Sequence, residues 1–317
     1  MNPEPLFLLS LPRSGSTVFQ RMLAGHPDLD TASEPWVMLP LAEYLREPER
    51  SRSYAAAPAQ RAFSDFADGL SGGRDELVLC IREFALSLYQ SRSIDSARFF
   101  IDKTPRYHLI LEPLSEIFPK APQVILWRNP LAVAASILRR WSQEGWNLPY
   151  WDIDLRVGLA RLVQYSANRP DIMTVRYEDL MDNPDEVCNS VFERIGVSSV
   201  GARLEDSPSL SGQMGDLNLA VRNAVHSERS TEWPDIFCNP LRCAWAHRYI
   251  DWVGDSRLSH MGYSRSELLH QLHSVPMTRE RMLSDAWRMP TFAVREAVRD
   301  RSDRRSWRSP IYEPLKR

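Results

Sequence analysis

Leu6-Phe7-Leu8-Leu9-Ser10-Leu11-Pro12-Arg13-Ser14-Gly15-Ser16-Thr17 decides the fold of this chain. An apolar run enters a loop of small residues, and the loop enters an amphipathic segment at 18–23. The pattern is strand, tight loop, helix. Such a loop turns successive backbone N–H groups toward one point, and the helix N-terminus adds a partial positive charge there. A phosphate suits that cradle. The loop lacks the Gly-x-x-x-x-Gly-Lys-Ser/Thr pattern of triphosphate loops. It holds no lysine, and Arg13 brings the charge. The reading is a cradle built from Arg13, Ser14, Gly15, Ser16 and Thr17, for a nucleotide other than ATP or GTP.

Outward from this stretch, short apolar runs alternate with amphipathic segments. Strands are expected at 6–9, 98–101, 123–127 and 172–176. Helices are expected at 17–25, 37–46, 60–70, 76–91, 107–118, 130–142, 155–168, 185–195 and 241–252. Continuous apolar strands alternating with helices predict an α/β fold: a P-loop-like, three-layer arrangement with a central parallel sheet flanked by helices. Ligands of such sheets collect at the carboxyl ends of the strands. Residues 198–239, with Gly201, Gly212 and Gly215, show weak periodicity and read as a long loop suited to a lid.

Four further features follow strands or the first helix. Val124-Ile125-Leu126-Trp127-Arg128-Asn129-Pro130 ends a strand at Arg128, with Ser136 two turns into the next helix. A guanidinium and a hydroxyl so placed can grip a second phosphate. Thr174-Val175-Arg176-Tyr177-Glu178-Asp179-Leu180 sets Tyr177 at another strand end, and Phe100-Ile101-Asp102-Lys103-Thr104-Pro105 sets Lys103 at a third. Glu34 lies in Ala32-Ser33-Glu34-Pro35-Trp36, and the proline pushes it toward extended backbone. Taken singly, each also reads as an ordinary turn, a packing ring or a solvated charge.

The bulk composition sets limits. The chain has 317 residues, 43% hydrophobic and 25% charged, with a net charge of −2. This is a globular composition with no overall basic field for nucleic acid. The charge is uneven: 276–317 carries +5 and the remainder −7. That basic tail is read as a solvated extension, or as a peripheral contact with an anionic partner or membrane surface. No run reaches the ~18 apolar residues that span a bilayer. No basic leader with a cleavage site opens the chain, and Cys80, Cys188, Cys238 and Cys243 show no specific metal-ligand spacing. A cytoplasmic location is expected, and no metal is assigned.

In chain order these features are a phosphate loop with Arg13, then Glu34, Lys103, Arg128 with Ser136, and Val-Arg-Tyr-Glu-Asp-Leu. The chain resembles the sulfotransferases that use 3′-phosphoadenosine-5′-phosphosulfate (PAPS), above all bacterial sulfotransferase-domain proteins and the tyrosylprotein sulfotransferases. Pro12-Arg13-Ser14-Gly15-Ser16-Thr17 is similar to the family's 5′-phosphosulfate loop, usually Pro-Arg-Ser-Gly-Thr-Thr. Met22-Leu23, His26-Pro27 and Glu34 fall at the tyrosylprotein-enzyme spacing. The resemblance implies that Glu34 is the catalytic base and Lys103 the transition-state lysine. It makes Arg128 and Ser136 the 3′-phosphate pair and Tyr177 a nucleotide contact. It covers 6–196 well, and implies a sulfotransferase domain at 1–275 with a basic extension at 276–317. Two departures stand out. The Arg-Lys-Gly nucleotide motif of the cytosolic enzymes is absent, and Pro105 holds the position of their catalytic histidine. A late assisting serine of the tyrosylprotein enzymes matches Ser227 or Ser230 without a secure alignment.

The expected activity is transfer of a sulfuryl group from PAPS to an acceptor hydroxyl. The group passes in line, and catalysis is positioning plus charge stabilisation. Glu34 takes the hydroxyl proton, while Arg13, Lys103 and the loop N–H groups balance charge growing on the leaving phosphate. Similar bacterial sequences imply a carbohydrate or exopolysaccharide acceptor. Trp141, Trp146, Tyr150 and Trp151 supply rings for a sugar or a flat apolar molecule. A small-molecule natural product or lipid is the alternative acceptor. A P-loop small-molecule kinase is the alternative chemistry, disfavoured by the missing loop lysine. His108, expected on a helix, is the rival base.

Overall fold

The computed structural model of the chain describes residues 3–45, 56–141, 145–198 and 233–290. Five strands form one sheet: β1 (Glu4–Ser10), β2 (Leu29–Thr31), β3 (Phe99–Asp102), β4 (Gln123–Trp127) and β5 (Met173–Arg176). They lie in the order β2-β3-β1-β4-β5. Every pairing is parallel, with Leu6 opposite Ile101, Leu9 opposite Ile125 and Ile125 opposite Thr174. The sheet is the α/β architecture that the alternating runs predict.

The central strand explains the layering. Residues along a strand point alternately to opposite faces. Phe7 and Leu9 of β1 enter one buried cluster, with Phe100, Ile125 and Trp127. Leu6 and Leu8 enter a second, with Phe99, Ile101, Val124 and Leu126. The second face is covered by α1 (Ser16–Leu23), α8 (Tyr177–Asp182) and α9 (Pro184–Ile195), through Phe19, Leu180 and Phe192. The first face is covered by α2 (Met38–Glu43), α4 (Gly73–Arg92), α5 (Leu111–Ile117), α6 (Pro130–Trp141), α7 (Leu159–Ala167) and α10 (Pro240–His260). With α3 (Ala56–Asp68) and α11 (Arg265–Leu272) these complete the labelled helices. Phe7, Leu8 and Leu9 are fully buried, and each such side chain is worth about 1.5–3 kcal/mol of transfer free energy.

Several expectations are corrected. The helix expected at 107–118 is broken into a tight turn, Tyr107–Leu109, and α5. His108 therefore sits on a turn, where Tyr107 drops its ring into the core. The segment expected as one helix at 155–168 starts as a wide π turn, Ile153–Gly158. β2, α8 and α11 are additional elements. Most of the lid expected at 198–239 lies outside the described residues, as do Ser227 and Ser230. Its end, 233–239, is core: Trp233, Ile236 and Phe237 are buried, and Phe237 stacks on Trp245. Of the basic extension, 291–317 lies outside the described residues. Within 276–290, Asp285 is fully buried and holds Arg242 at 2.6 Å and Asn239 at 2.8 Å.

Candidate active site

All the strands being parallel, their carboxyl ends share one edge, and the chain crosses from one side of β1 to the other between β3 and β4. The loops that leave all five strands start from this edge, and each leads to at least one of the singled-out side chains, Glu34 following β2.

The loop after β1 owes its shape to two backbone positions. Arg13 has φ 70° and Gly15 has φ 89°, both left-handed. Gly15 caps α1, and its carbonyl accepts from the Val18 and Phe19 amides. A helix start leaves its first N–H groups without intrahelical acceptors, so those of Ser16 and Thr17 face the cradle. Ser14 and Ser16 are buried, and the Ser14 amide closes a turn to the Leu11 carbonyl. Gly15 also meets a packing demand: a Cβ there would stand 2.3 Å from Cε2 of Tyr177. The tyrosine ring from the start of α8 packs against the loop, and only glycine fits beside it.

Arg128 lies over that ring, its guanidinium 4.3 Å from the ring centroid. Its NH1 donates to the Arg13 carbonyl at 3.0 Å. Its buried Nε has no partner among the described residues. Arg13 in turn donates from Nε to Ser136 Oγ at 3.2 Å and lies over the Trp141 ring. Arg13, Arg128, Ser136 and Tyr177 are thus one cluster: Arg13 joins Ser136 to Arg128, and Arg128 reaches Tyr177.

Lys103 and Glu34 form a second cluster at the other end of the cradle. Lys103 is fully buried, and its Nζ lies 3.0 Å from Glu34 Oε1 and 3.2 Å from Thr17 Oγ1. The second Glu34 oxygen, Oε2, accepts from the Trp36 indole at 3.2 Å. A carboxylate offers about four lone-pair directions, so an acceptor hydroxyl can still reach it. One lysine thus touches the acid and the first turn of the phosphate-loop helix together.

The residues that fix Glu34 and Lys103 were not singled out in the sequence. Gln20 on α1 is buried and donates to Thr31 Oγ1 and to the carbonyls of Ala32 and Ser33, at 2.7, 2.7 and 3.0 Å. It clamps the chain that leads to Glu34. Trp36, at φ 54°, donates its amide to Thr104 Oγ1. Asp102 at the end of β3 accepts from the Tyr89 and Tyr107 hydroxyls at 2.6 and 2.7 Å. Burial pushes its pKa up to about 6 against these hydrogen bonds. A glutamine on the apolar face of an amphipathic helix was the one available signal; the tyrosines carry none until the fold is known.

His108 belongs to neither cluster. Its ring is buried, with Nε2 3.0 Å from Asp154 Oδ1 and Gly158 packed against it. Burial lowers its pKa, opposed by the hydrogen bond to Asp154. The imidazole braces the turn before α5 against the π turn.

Comparison with known proteins follows the same lines. A family model described as "Sulfotransferase family" matches residues 5–200. Nodulation protein NoeE of Sinorhizobium fredii is 30% identical over 300 residues, covering 84% of this chain and 68% of its own length. Protein-tyrosine sulfotransferase 2 of Gallus gallus is 24% identical over 234 residues, covering 72% of this chain and 58% of its own length. The solved sulfotransferase domain from the curacin biosynthetic pathway superposes with a TM-score of 0.51 at 22% identity, over 74% of this chain and 91% of that one, which shows a shared fold. The family match over residues 5–200 and the relative at 30% identity, on an all-parallel sheet, establish that this chain belongs to the sulfotransferase family.

Proposed function

We propose that the chain transfers a sulfuryl group from PAPS to a hydroxyl of a carbohydrate acceptor. The observation that carries this reading is Lys103 Nζ, held 3.0 Å from Glu34 and 3.2 Å from Thr17. It puts an acid and a cation at the mouth of a phosphate-binding helix N-terminus. The nucleotide fits the first cluster. The 5′-phosphosulfate takes the loop N–H groups, and the 3′-phosphate takes Ser136 and Arg128, whose buried Nε needs an acceptor.

In the step itself the acceptor oxygen forms a bond to sulfur as its proton passes to Glu34. The bond from sulfur to the bridging oxygen breaks, and its electron pair leaves on the 5′-phosphate. Lys103 and Arg13 balance that charge and the Ser16 and Thr17 amides bind it, contacts that strengthen only as the transition state is approached. Lys103 also orients Glu34 before the acceptor arrives.

The carbohydrate reading rests on Trp141, which is 45% exposed and stacks on Trp151 with centroids 4.2 Å apart and planes 15° apart. Arg13 lies over the same Trp141 ring, so this platform adjoins the cradle. Flat exposed indoles stack on the apolar faces of sugars. The test is radiolabelled PAPS offered with an oligosaccharide panel and, separately, with a panel of apolar alcohols. Label entering an oligosaccharide, with KM raised in Trp141→Ala at little changed nucleotide affinity, is expected. Label entering only the apolar alcohols overturns the acceptor class and leaves the donor reading standing.

A further inference from the structure

We propose that Cys243, His247 and His273 form a binding site for a thiophilic divalent cation, with zinc as the best-matched ion, that joins α10 to α11. Cys243 and His247 are four residues apart on α10, one turn up the same face. His273 stands at the C-terminal end of α11 and turns its ring back onto α10. Its Nε2 is 2.9 Å from Nε2 of His247, with the ring centroids 5.0 Å apart. One ligand atom from each of the three residues lies within 4.8 Å of the others. The cysteine is a free thiol.

Two neutral imidazoles that face each other through Nε2 share one proton between two lone pairs. A Lewis acid can take the place of that proton, which then moves to Nδ1 of the ring that carried it, so the pair stays neutral and releases none. Zinc bonds nitrogen at about 2.0–2.1 Å and sulfur at about 2.3 Å, so a tetrahedral ion sets its nitrogen ligands about 3.3 Å apart. The imidazole nitrogens need to part by a few tenths of an ångström, and they need to close on the sulfur, from within 4.8 Å to about 3.5 Å. His273 is exposed at a helix end and can make that shift, while Cys243 packs against the main core cluster and stays fixed. Two imidazoles and a thiolate favour zinc or another borderline-soft ion over magnesium or calcium, which take oxygen. The fourth position is left to water or an outside ligand. Metal entry displaces the thiol proton of Cys243, so one proton is released for each ion bound. Burial raises the pKa of that thiol, and the ion overcomes this by bonding the thiolate directly.

The site shares no residue with the two clusters of the candidate active site, so it stands or falls apart from the sulfuryl-transfer reading. It would tie α11 to α10 and stabilise the fold by mass action.

The test uses untagged, chelator-stripped full-length protein and zinc itself, followed by isothermal calorimetry, with Co²⁺ as the spectroscopic probe. One saturable equivalent of zinc is expected, with about one proton released and a rise in Tm. The cobalt form should show sulfur-to-metal charge transfer in the near ultraviolet and the intense visible bands of a tetrahedral ion. Cys243→Ser should remove the charge-transfer band, and His273→Ala should weaken zinc at least tenfold. Both variants sit at partly open positions, and their metal-free Tm reports whether each is folded. Absence of a saturable equivalent in the wild type overturns the proposal. So does zinc binding of unchanged affinity in the folded Cys243→Ser, His273→Ala double variant.

Discussion

Glu34 and His108 both have the chemistry of a general base, and their surroundings separate them. Glu34 is part-exposed beside Lys103, with lone pairs open toward the cradle. His108 is sealed in the core against Asp154 and Gly158. Glu34→Gln should therefore lower turnover about 10²–10⁴-fold, the usual worth of a positioned base, with nucleotide affinity little changed. His108→Ala should instead lower stability by about 2–4 kcal/mol, since it opens a cavity and strips Asp154 of a partner. Turnover per folded molecule should hardly move. Steady-state kinetics and thermal melts of the two variants decide between them, and the reversed pattern refutes the assignment. Glu34 was singled out through the resemblance, by its spacing after the loop. That His108 is sealed was not legible, because burial comes from the π turn folding back over it.

The end of β3 is where an element, rather than a residue, sets the site. Tyr89 from α4 and Tyr107 from the following turn both donate to Asp102, and Thr104 adds a third hydrogen bond. The strand end is thereby pinned to two covering elements, and Lys103, the next residue, is aimed at Thr17 and Glu34. Asp102 titrates at about 6 in the fold against about 4 unfolded, because burial disfavours its charge. The native state then binds the extra proton between pH 4 and 6, so this group stabilises the fold fully below about pH 4 and loses that contribution as pH rises through about 6. The linkage amounts to about 2–3 kcal/mol. His108, lowered by burial, acts in the opposite direction, losing stability as pH falls through its range. In Asp102→Asn the first effect is removed. Denaturant melts from pH 4 to 7 should show a stability that rises with pH more steeply in the variant than in the wild type. Parallel curves would show that Asp102 is not held protonated.

Elements were read from the sequence unevenly, for physical reasons. β4 was legible to the residue because Val124–Trp127 is a continuous apolar run buried on both faces. β2 was not, because Leu29-Asp30-Thr31 is three residues held in register chiefly by β3. α8 was missed because Tyr177 serves as the strand-end ring and the first helical residue at once. The tight turn Tyr107–Leu109 and the π turn Ile153–Gly158 preserve helical periodicity closely enough to pass for helix.

Across the whole molecule, five parallel strands bring their following loops to one edge, and the candidate site exists only there. Residues far apart in sequence, such as Arg13 and Ser136 at 123 positions, touch because of that convergence. The order of motifs along the chain carried this information; the contacts of Gln20, Trp36 and the aspartate–tyrosine group did not exist before the fold. Because Arg13 and Lys103 carry the charge balance in this account, sulfuryl transfer should persist in excess EDTA, and Mg²⁺ should not raise it. Loss of transfer in EDTA with recovery on adding Mg²⁺ would place the chemistry with the kinases instead.

The central claim is that the cradle is built for a nucleotide bearing a 3′-phosphate, and calorimetry with 3′-phosphoadenosine-5′-phosphate, AMP and ATP in EDTA tests it most directly. Charge-assisted hydrogen bonds of about 1.5–3 kcal/mol each from Arg128 and Ser136 predict that the 3′-phosphorylated nucleotide binds at least about tenfold more tightly than AMP or ATP. Arg128→Ala should erase most of that preference. ATP binding as tightly as 3′-phosphoadenosine-5′-phosphate, or a preference unchanged in Arg128→Ala, would contradict the account.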